Sequence, residues 1–170
     1  MDNTLSLECL SGAALRPPLD AVAALRISVF RDWPYLYDGD VAYEREYLDA
    51  YARSANSIVV LARDGDAVVG ASTGIPLAED SAEFQAPFLS RGIDVAKVFY
   101  CGESVLLPAW RGRGIGHAFF DAREAHARKL NESLADLSHR FEERKLVDKA
   151  KGILMYARRV SEDQAFQLLR

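Results

Sequence analysis

Seven consecutive residues, Arg111-Gly112-Arg113-Gly114-Ile115-Gly116-His117, join the two things that an oligophosphate needs, fixed positive charge and bare main chain. Arg111 and Arg113 bring guanidinium groups suited to a pyrophosphate. Gly112, Gly114 and Gly116 let the backbone come close to a ligand with no Cβ in the way. An apolar run ends at Pro108, just upstream, and helical patterning starts at Gly114. The loop therefore opens a helix, where unpaired N–H groups and the helix macrodipole favour an anion. The expected ligand carries a diphosphate. A P-loop would need Gly-Lys-Ser/Thr where the chain has Gly116-His117-Ala118, and the dinucleotide fingerprint G-x-G-x-x-G is out of register with these glycines. His117, His126 and His139 are scattered rather than set at metal spacing, so no metal is expected.

The elements that must position this loop follow in order. Thr4–Leu10 alternates as a strand, and Pro17-Pro18 precede a helical stretch, Leu19–Phe30, with Val22, Ala23, Leu25, Ile27 and Phe30 apolar. Arg31–Asp40 is a turn-rich loop that holds Asp32, Asp38 and Asp40 beside Trp33, Tyr35 and Tyr37. With Glu44 these form an acidic aromatic surface compatible with a cationic amine, or simply packing aromatics and solvated acids. Val41–Tyr51 returns to helical spacing. Ser57–Ala62 and Ala67–Ser72 are the arms of a hairpin about Asp64-Gly65-Asp66. A short helix is expected within Glu79–Arg91, then a strand over Lys97–Leu107 that feeds the loop.

Beyond Gly116 no proline occurs up to Arg159 and a single glycine, Gly152. Leu130, Leu134, Leu137 and Phe141 follow 4-3-4 spacing, a coiled-coil pattern. Either Asn131 caps a new helix, or one helix runs from Gly114 to Arg159, about 70 Å long. The single projecting helix is the preferred reading, and its leucine seam predicts a homodimer.

Composition narrows the class. The 170 residues, 49% apolar and 27% charged, suit one α/β domain with an appendage. No apolar run nears the ~20 residues of a membrane span, and MDNTLSLE has no basic, apolar leader, so a cytoplasmic protein is expected. Cys9 and Cys101 match no metal spacing and read as reduced thiols or small core residues. Residues 1–113 carry 10 Lys and Arg against 16 Asp and Glu, which disfavours nucleic acid as the partner of that part. The remainder is mildly basic.

Arg111-x-x-Gly114-x-Gly116 after a strand resembles motif A of the GNAT acyl-CoA N-acyltransferases, and the likeness covers roughly Leu5 to Leu130. It implies a partial GNAT α/β fold with a mixed, mostly antiparallel sheet. It implies acetyl-CoA as cosubstrate, its pantetheine arm on main chain around Val105 and Leu106 and its pyrophosphate on Arg111 to His117. It also implies Glu103 as general base, since a half-buried carboxylate on that strand is suited to take an ammonium proton. The acceptor would be a small-molecule or peptide amine. The family places another strand after the motif-A helix, and here nothing after Leu130 reads as one, so weak activity is expected. The tail, from Glu142-Glu143-Arg144-Lys145 through Ala150-Lys151-Gly152-Ile153-Leu154-Met155 to Ser161-Glu162-Asp163-Gln164-Ala165-Phe166, resembles ANTAR, an RNA-binding helical module. That implies RNA as partner, Lys145, Lys149, Lys151, Arg158 and Arg159 as phosphate contacts, and a short terminal helix opened by a Ser161–Gln164 capping box. An inactive fusion of the two parts stays open as an alternative. The expected division is 1–130 and 131–170.

Overall fold

The computed structural model describes residues 5–159 together with Ser161, Gln164 and Gln167. Its centre is a four-stranded sheet in sequence order: β1 (Leu5–Leu10), β2 (Ile58–Asp64), β3 (Ala67–Pro76) and β4 (Phe99–Leu106). Among the described residues every pairing is antiparallel, so the expected admixture of parallel strands is not present there. The hairpin between β2 and β3 turns on Gly65 and Asp66. Gly65 takes φ +57°, a left-handed value that a side chain resists.

β2 and β3 are the sheet's buried strands, and in β2 all of Ile58–Ala62 is closed to solvent. The alternation of β2 feeds two cores. Val59 and Leu61 pack with Val22, Leu48, Tyr51 and Val105 on one side. That side is covered by α1 (Leu19–Phe30) and α2 (Val41–Arg53). Ile58, Val60 and Ala62 pack on the other side with Ile115 and Phe119, from the first turns of α4 (Ile115–Arg158). Asp40 caps α2, its carboxylate accepting from the Tyr43 N–H at 3.0 Å. The Glu79–Arg91 stretch holds α3 (Ala82–Leu89).

α4 runs without a break through Leu130-Asn131, so Asn131 caps nothing. The chain divides into two compact units within that helix, Met1–Ala127 and Arg128–Arg170. In the second, Ser161 and Gln164 form a reciprocal cap: Gln164 N–H donates to Ser161 Oγ at 3.3 Å and Ser161 N–H to Gln164 Oε1 at 3.0 Å. Thr4 and most of the expected terminal helix lie outside the described residues. Cys9 and Cys101 are both exposed rather than in the core, because each sits on an edge strand.

Candidate active site

The loop after β4 is built by a short chain of backbone bonds. Leu107 N–H donates to Val69 O at 2.9 Å, which ends the sheet, and Arg111 N–H donates to Pro108 O at 3.2 Å. The next backbone bond outside regular elements is from Ala118 N–H to Gly114 O, at 3.1 Å. Between them, the N–H groups of Gly112, Arg113, Gly114, Ile115, Gly116 and His117 donate to no described acceptor. Gly112 and Gly114 hold φ of +73° and +79°, left-handed values that a side chain resists. A Cβ added at Gly112, Gly114 or Gly116 would meet no atom within 4 Å, so the space beside these three residues is open. Arg111 Nε donates to Leu106 O at 3.2 Å. Arg113 Nη2 donates to Ala109 O at 3.1 Å while its guanidinium lies 4.6 Å from the Trp110 ring centroid. Each arginine is tied to nearby main chain by one nitrogen, and its others bond no described acceptor. His117 falls in the first turn of α4.

Glu103 lies at an irregularity of β4. Ser72 of β3 pairs with Ser104 and Gly74 pairs with Cys101, so Gly102 and Glu103 together stand opposite Thr73. Such a bulge unpairs backbone groups, and here side chains take them up. Glu103 N–H donates to Thr73 Oγ1 at 3.2 Å, and Ser72 Oγ donates to Glu103 O at 3.1 Å. Gly102 is required at this point. A Cβ there would lie 2.6 Å from Thr73 Oγ1 and 2.7 Å from Tyr51 Oη.

The Glu103 carboxylate turns toward α1 and α2, where Arg26 pairs with both Glu103 and Glu44. Tyr47 Oη donates to Glu103 Oε2 at 2.7 Å and lies 3.3 Å from Tyr51 Oη. The Arg26 guanidinium also stacks on Tyr47, 4.2 Å from its centroid. Glu44 is 1% exposed, and its Oε1 has no hydrogen-bond partner. Burial pushes the Tyr47 hydroxyl far above its ordinary range and raises that of Tyr51 as well, so both stay protonated donors. Asp80 is raised by burial too, against the pull of the Ser81 N–H bonded to it at 2.7 Å. Tyr47, Phe84 and Tyr100 line up beside this network, with ring centroids 6.4 and 5.5 Å apart.

The structure thus joins Glu103 to residues that the sequence reading did not select, namely Arg26, Tyr47, Tyr51, Thr73 and Arg123. A signal existed for Arg26, a charge among the apolar positions Val22, Ala23 and Leu25. Thr73 carried none. Glu44, read from the sequence as part of the acidic aromatic surface, joins the network through Arg26. The acidic aromatic loop is instead largely outside the network: Trp33 and Tyr35 are 81% and 67% exposed, and Asp38 pairs with Arg31 at 3.3 Å. Tyr37 is half-buried, its hydroxyl pushed up by desolvation and by the Glu44 carboxylate. His126 is half-buried, Nε2 standing 2.9 Å from Asn56 O. Lys145 pairs with Glu142 at 3.0 Å and Lys151 with Asp148 at 3.5 Å.

Two family models match the sequence, the acetyltransferase (GNAT) family over residues 23–146 and the ANTAR domain over residues 135–170. No curated protein matches. Among solved structures, similar chains include the aminoglycoside acetyltransferase AAC(6')-Iy with a bisubstrate analogue, at 14% identity over 75% of this chain and 74% of that one, TM-score 0.49. A second is meta-AAC0020, an aminoglycoside acetyltransferase from an uncultured soil metagenomic sample in complex with trehalose, at 19% identity over 76% and 74%, TM-score 0.49. A third is AAC(6')-Iy in complex with CoA, at 13% identity over 80% and 84%, TM-score 0.49.

Proposed function

The chain belongs to the GNAT acetyltransferase family, and on that premise we propose that it binds acetyl-CoA at Arg111–His117 and passes the acetyl group to an amine beside Glu103. The carrying observation is the row of six N–H groups, Gly112 to His117, with no acceptor among the described residues. A diphosphate supplies acceptors for that row, and Arg111 and Arg113 supply countercharge. The outer edge of β4 pairs with no described strand, which leaves main chain around Val105 and Leu106 for the pantetheine amides. Leu106 O is already held by Arg111.

In the reaction the amine nitrogen forms a C–N bond to the thioester carbonyl carbon while the C–S bond breaks. The amine proton passes to the Glu103 carboxylate and ends on the departing sulfur. Glu103 is held for this by Arg26 and Tyr47, and Tyr47, neutral through burial, donates to it. Turnover is expected to be slow, because among the described residues no strand follows β4 to wall the far side of the thioester. The acceptor is a small-molecule or peptide amine that enters along the Tyr47–Phe84–Tyr100 aromatics. A cytoplasmic location suits a CoA-dependent reaction, and among the described residues no helix is long and apolar enough to cross a membrane.

Calorimetry tests the donor site. Acetyl-CoA is expected to bind saturably, with Arg111→Ala weakening it by about tenfold through loss of one charge-assisted contact, and Gly114→Trp weakening it by filling the open space at the loop backbone. No heat at millimolar acetyl-CoA overturns the reading.

A second reading rests on the ANTAR match and the Ser161–Gln164 cap: the tail binds RNA. A gel shift with tandem stem-loop RNA that weakens as salt rises is the expected result, and no shift at any salt concentration overturns it.

A further inference from the structure

Arg123, in the third turn of α4, is 2% exposed, and among the described residues no carboxylate lies within ion-pair distance of it. Its guanidinium is nonetheless anchored. Nη1 donates to Thr73 O at 3.2 Å and reaches Glu103 O at 3.5 Å, and the group lies 4.6 Å from the Phe120 ring centroid. Nε is buried with no partner. A desolvated cation in such surroundings is costly unless negative charge elsewhere offsets it. The offset is one residue away through the backbone. On the opposite face of the sheet Glu103 and Glu44 place two carboxylates on the single guanidinium of Arg26, one negative charge in excess. Arg123 contacts the carbonyls of the two residues that face each other at the bulge, Thr73 and Glu103.

We infer that Arg123 is the positioning residue of Glu103: from beneath the sheet it fixes the bulge and supplies the second positive charge that keeps the Glu103 carboxylate ionised and aimed at Tyr47. The inference rests on the proposed role of Glu103 as proton acceptor for its meaning, though not for its test. The other charged and titratable groups facing Glu103 are Arg26 from α1, Glu44, Tyr47 and Tyr51 from α2, and, near the tyrosines, Asp80. None of these bonds the bulge carbonyls.

The test follows the Glu103 side chain directly, in the full chain without acetyl-CoA. Glutamate-labelled protein is titrated by carboxyl ¹³C NMR, with Glu103 assigned from Glu103→Gln. Removing the cation in Arg123→Met is expected to move the Glu103 midpoint up by about one pH unit, since loss of nearby positive charge disfavours the carboxylate. Arg123→Lys is expected to restore at least half of that shift. A packing role alone would lower the melting temperature and leave the midpoint in place. If Arg123→Met does not fold, the parent protein decides: the Arg123 side-chain ¹⁵N resonances are expected to shift with the Glu103 titration. An unmoved midpoint in a folded Arg123→Met, or unmoved Arg123 resonances in the parent, overturns the inference. Absence of acetyl-CoA binding by calorimetry would leave this result standing, and failure here would leave the donor site standing.

Discussion

Arg26 is the residue on which the acid network depends. It serves two carboxylates from different elements, and Glu44 has no other cation in reach. Truncating it strands Glu44, which is closed to water, and removes the cation from Glu103, whose side chain is 16% exposed. Arg26→Met is therefore expected to cost about 3–5 kcal/mol of folding stability, the range for breaking a buried pair from one side. Adding Glu44→Gln should recover part of that loss, and a double-mutant cycle by urea denaturation measures it. Equal losses in the single and double variants would mean that Arg26 matters by packing on Tyr47 rather than by charge.

Tyr47 and Tyr51 give a second residue-level expectation, in alkali. Burial raises both hydroxyls in the folded chain above the unfolded value of about 10. A raised folded value means that the folded state holds these protons more tightly. The stability this contributes is full below about pH 10 and declines as the unfolded chain begins to ionise above it. Phenolate absorbance near 295 nm should then show some of the seven tyrosines titrating normally and a residue that ionises only as the protein unfolds. Tyr47→Phe should shrink that late fraction. A single smooth titration of every tyrosine near pH 10 in folded protein would contradict the burial.

At the scale of elements, the loop glycines separate fold from ligand. Gly114 sits at φ +79°, so Gly114→Ala is expected to lower stability by about 1 kcal/mol through backbone strain alone. Gly116 is helical, and a Cβ there meets nothing within 4 Å. Gly116→Ala should leave the melting temperature level or slightly higher. Weaker acetyl-CoA binding in that variant would then report contact between ligand and backbone. Unchanged binding would place the diphosphate elsewhere along the loop.

Local pattern explains why some elements were legible and others were not. Helical spacing after Pro18 marked α1 over Leu19–Phe30, as found, and Asp64-Gly65-Asp66 marked the β2–β3 hairpin. Both are decided within a few residues of chain. The bulge at Gly102–Glu103 depends on the register between β3 and β4, which alternation alone does not encode. The Arg26–Glu103 pair spans 77 residues and three packed elements, so spacing along the chain held no trace of it. Glu103 was therefore selected as a carboxylate, while the partners that hold it came into view only with the fold.

For the whole molecule, the remaining expectation concerns the second unit, Arg128–Arg170, and what its helix does with exposed apolar side chains. Leu134, Leu137 and Phe141 are 60%, 62% and 62% exposed and fall on one stripe, as the 4-3-4 spacing requires. That stripe does not continue. At about 100° per residue, Leu146 and Ile153 lie well over 90° around the helix from it, and both are exposed as well. One coiled-coil partner can bury one stripe, so the proposed homodimer seam is confined to Leu130–Phe141; Leu137 and Phe141 of that seam and the later stripe all fall within the ANTAR-matched residues 135–170. Leu137→Glu is expected to convert a dimer to monomer in sedimentation equilibrium, while Leu146→Glu leaves the dimer intact. Dissociation by Leu146→Glu instead would put the seam on the later stripe. A monomeric parent chain at tens of micromolar would remove the seam altogether. Because these positions belong to the second unit and Gly112–His117 to the first, neither substitution is expected to alter acetyl-CoA binding, and a change in both properties together would show that the donor site needs the dimer.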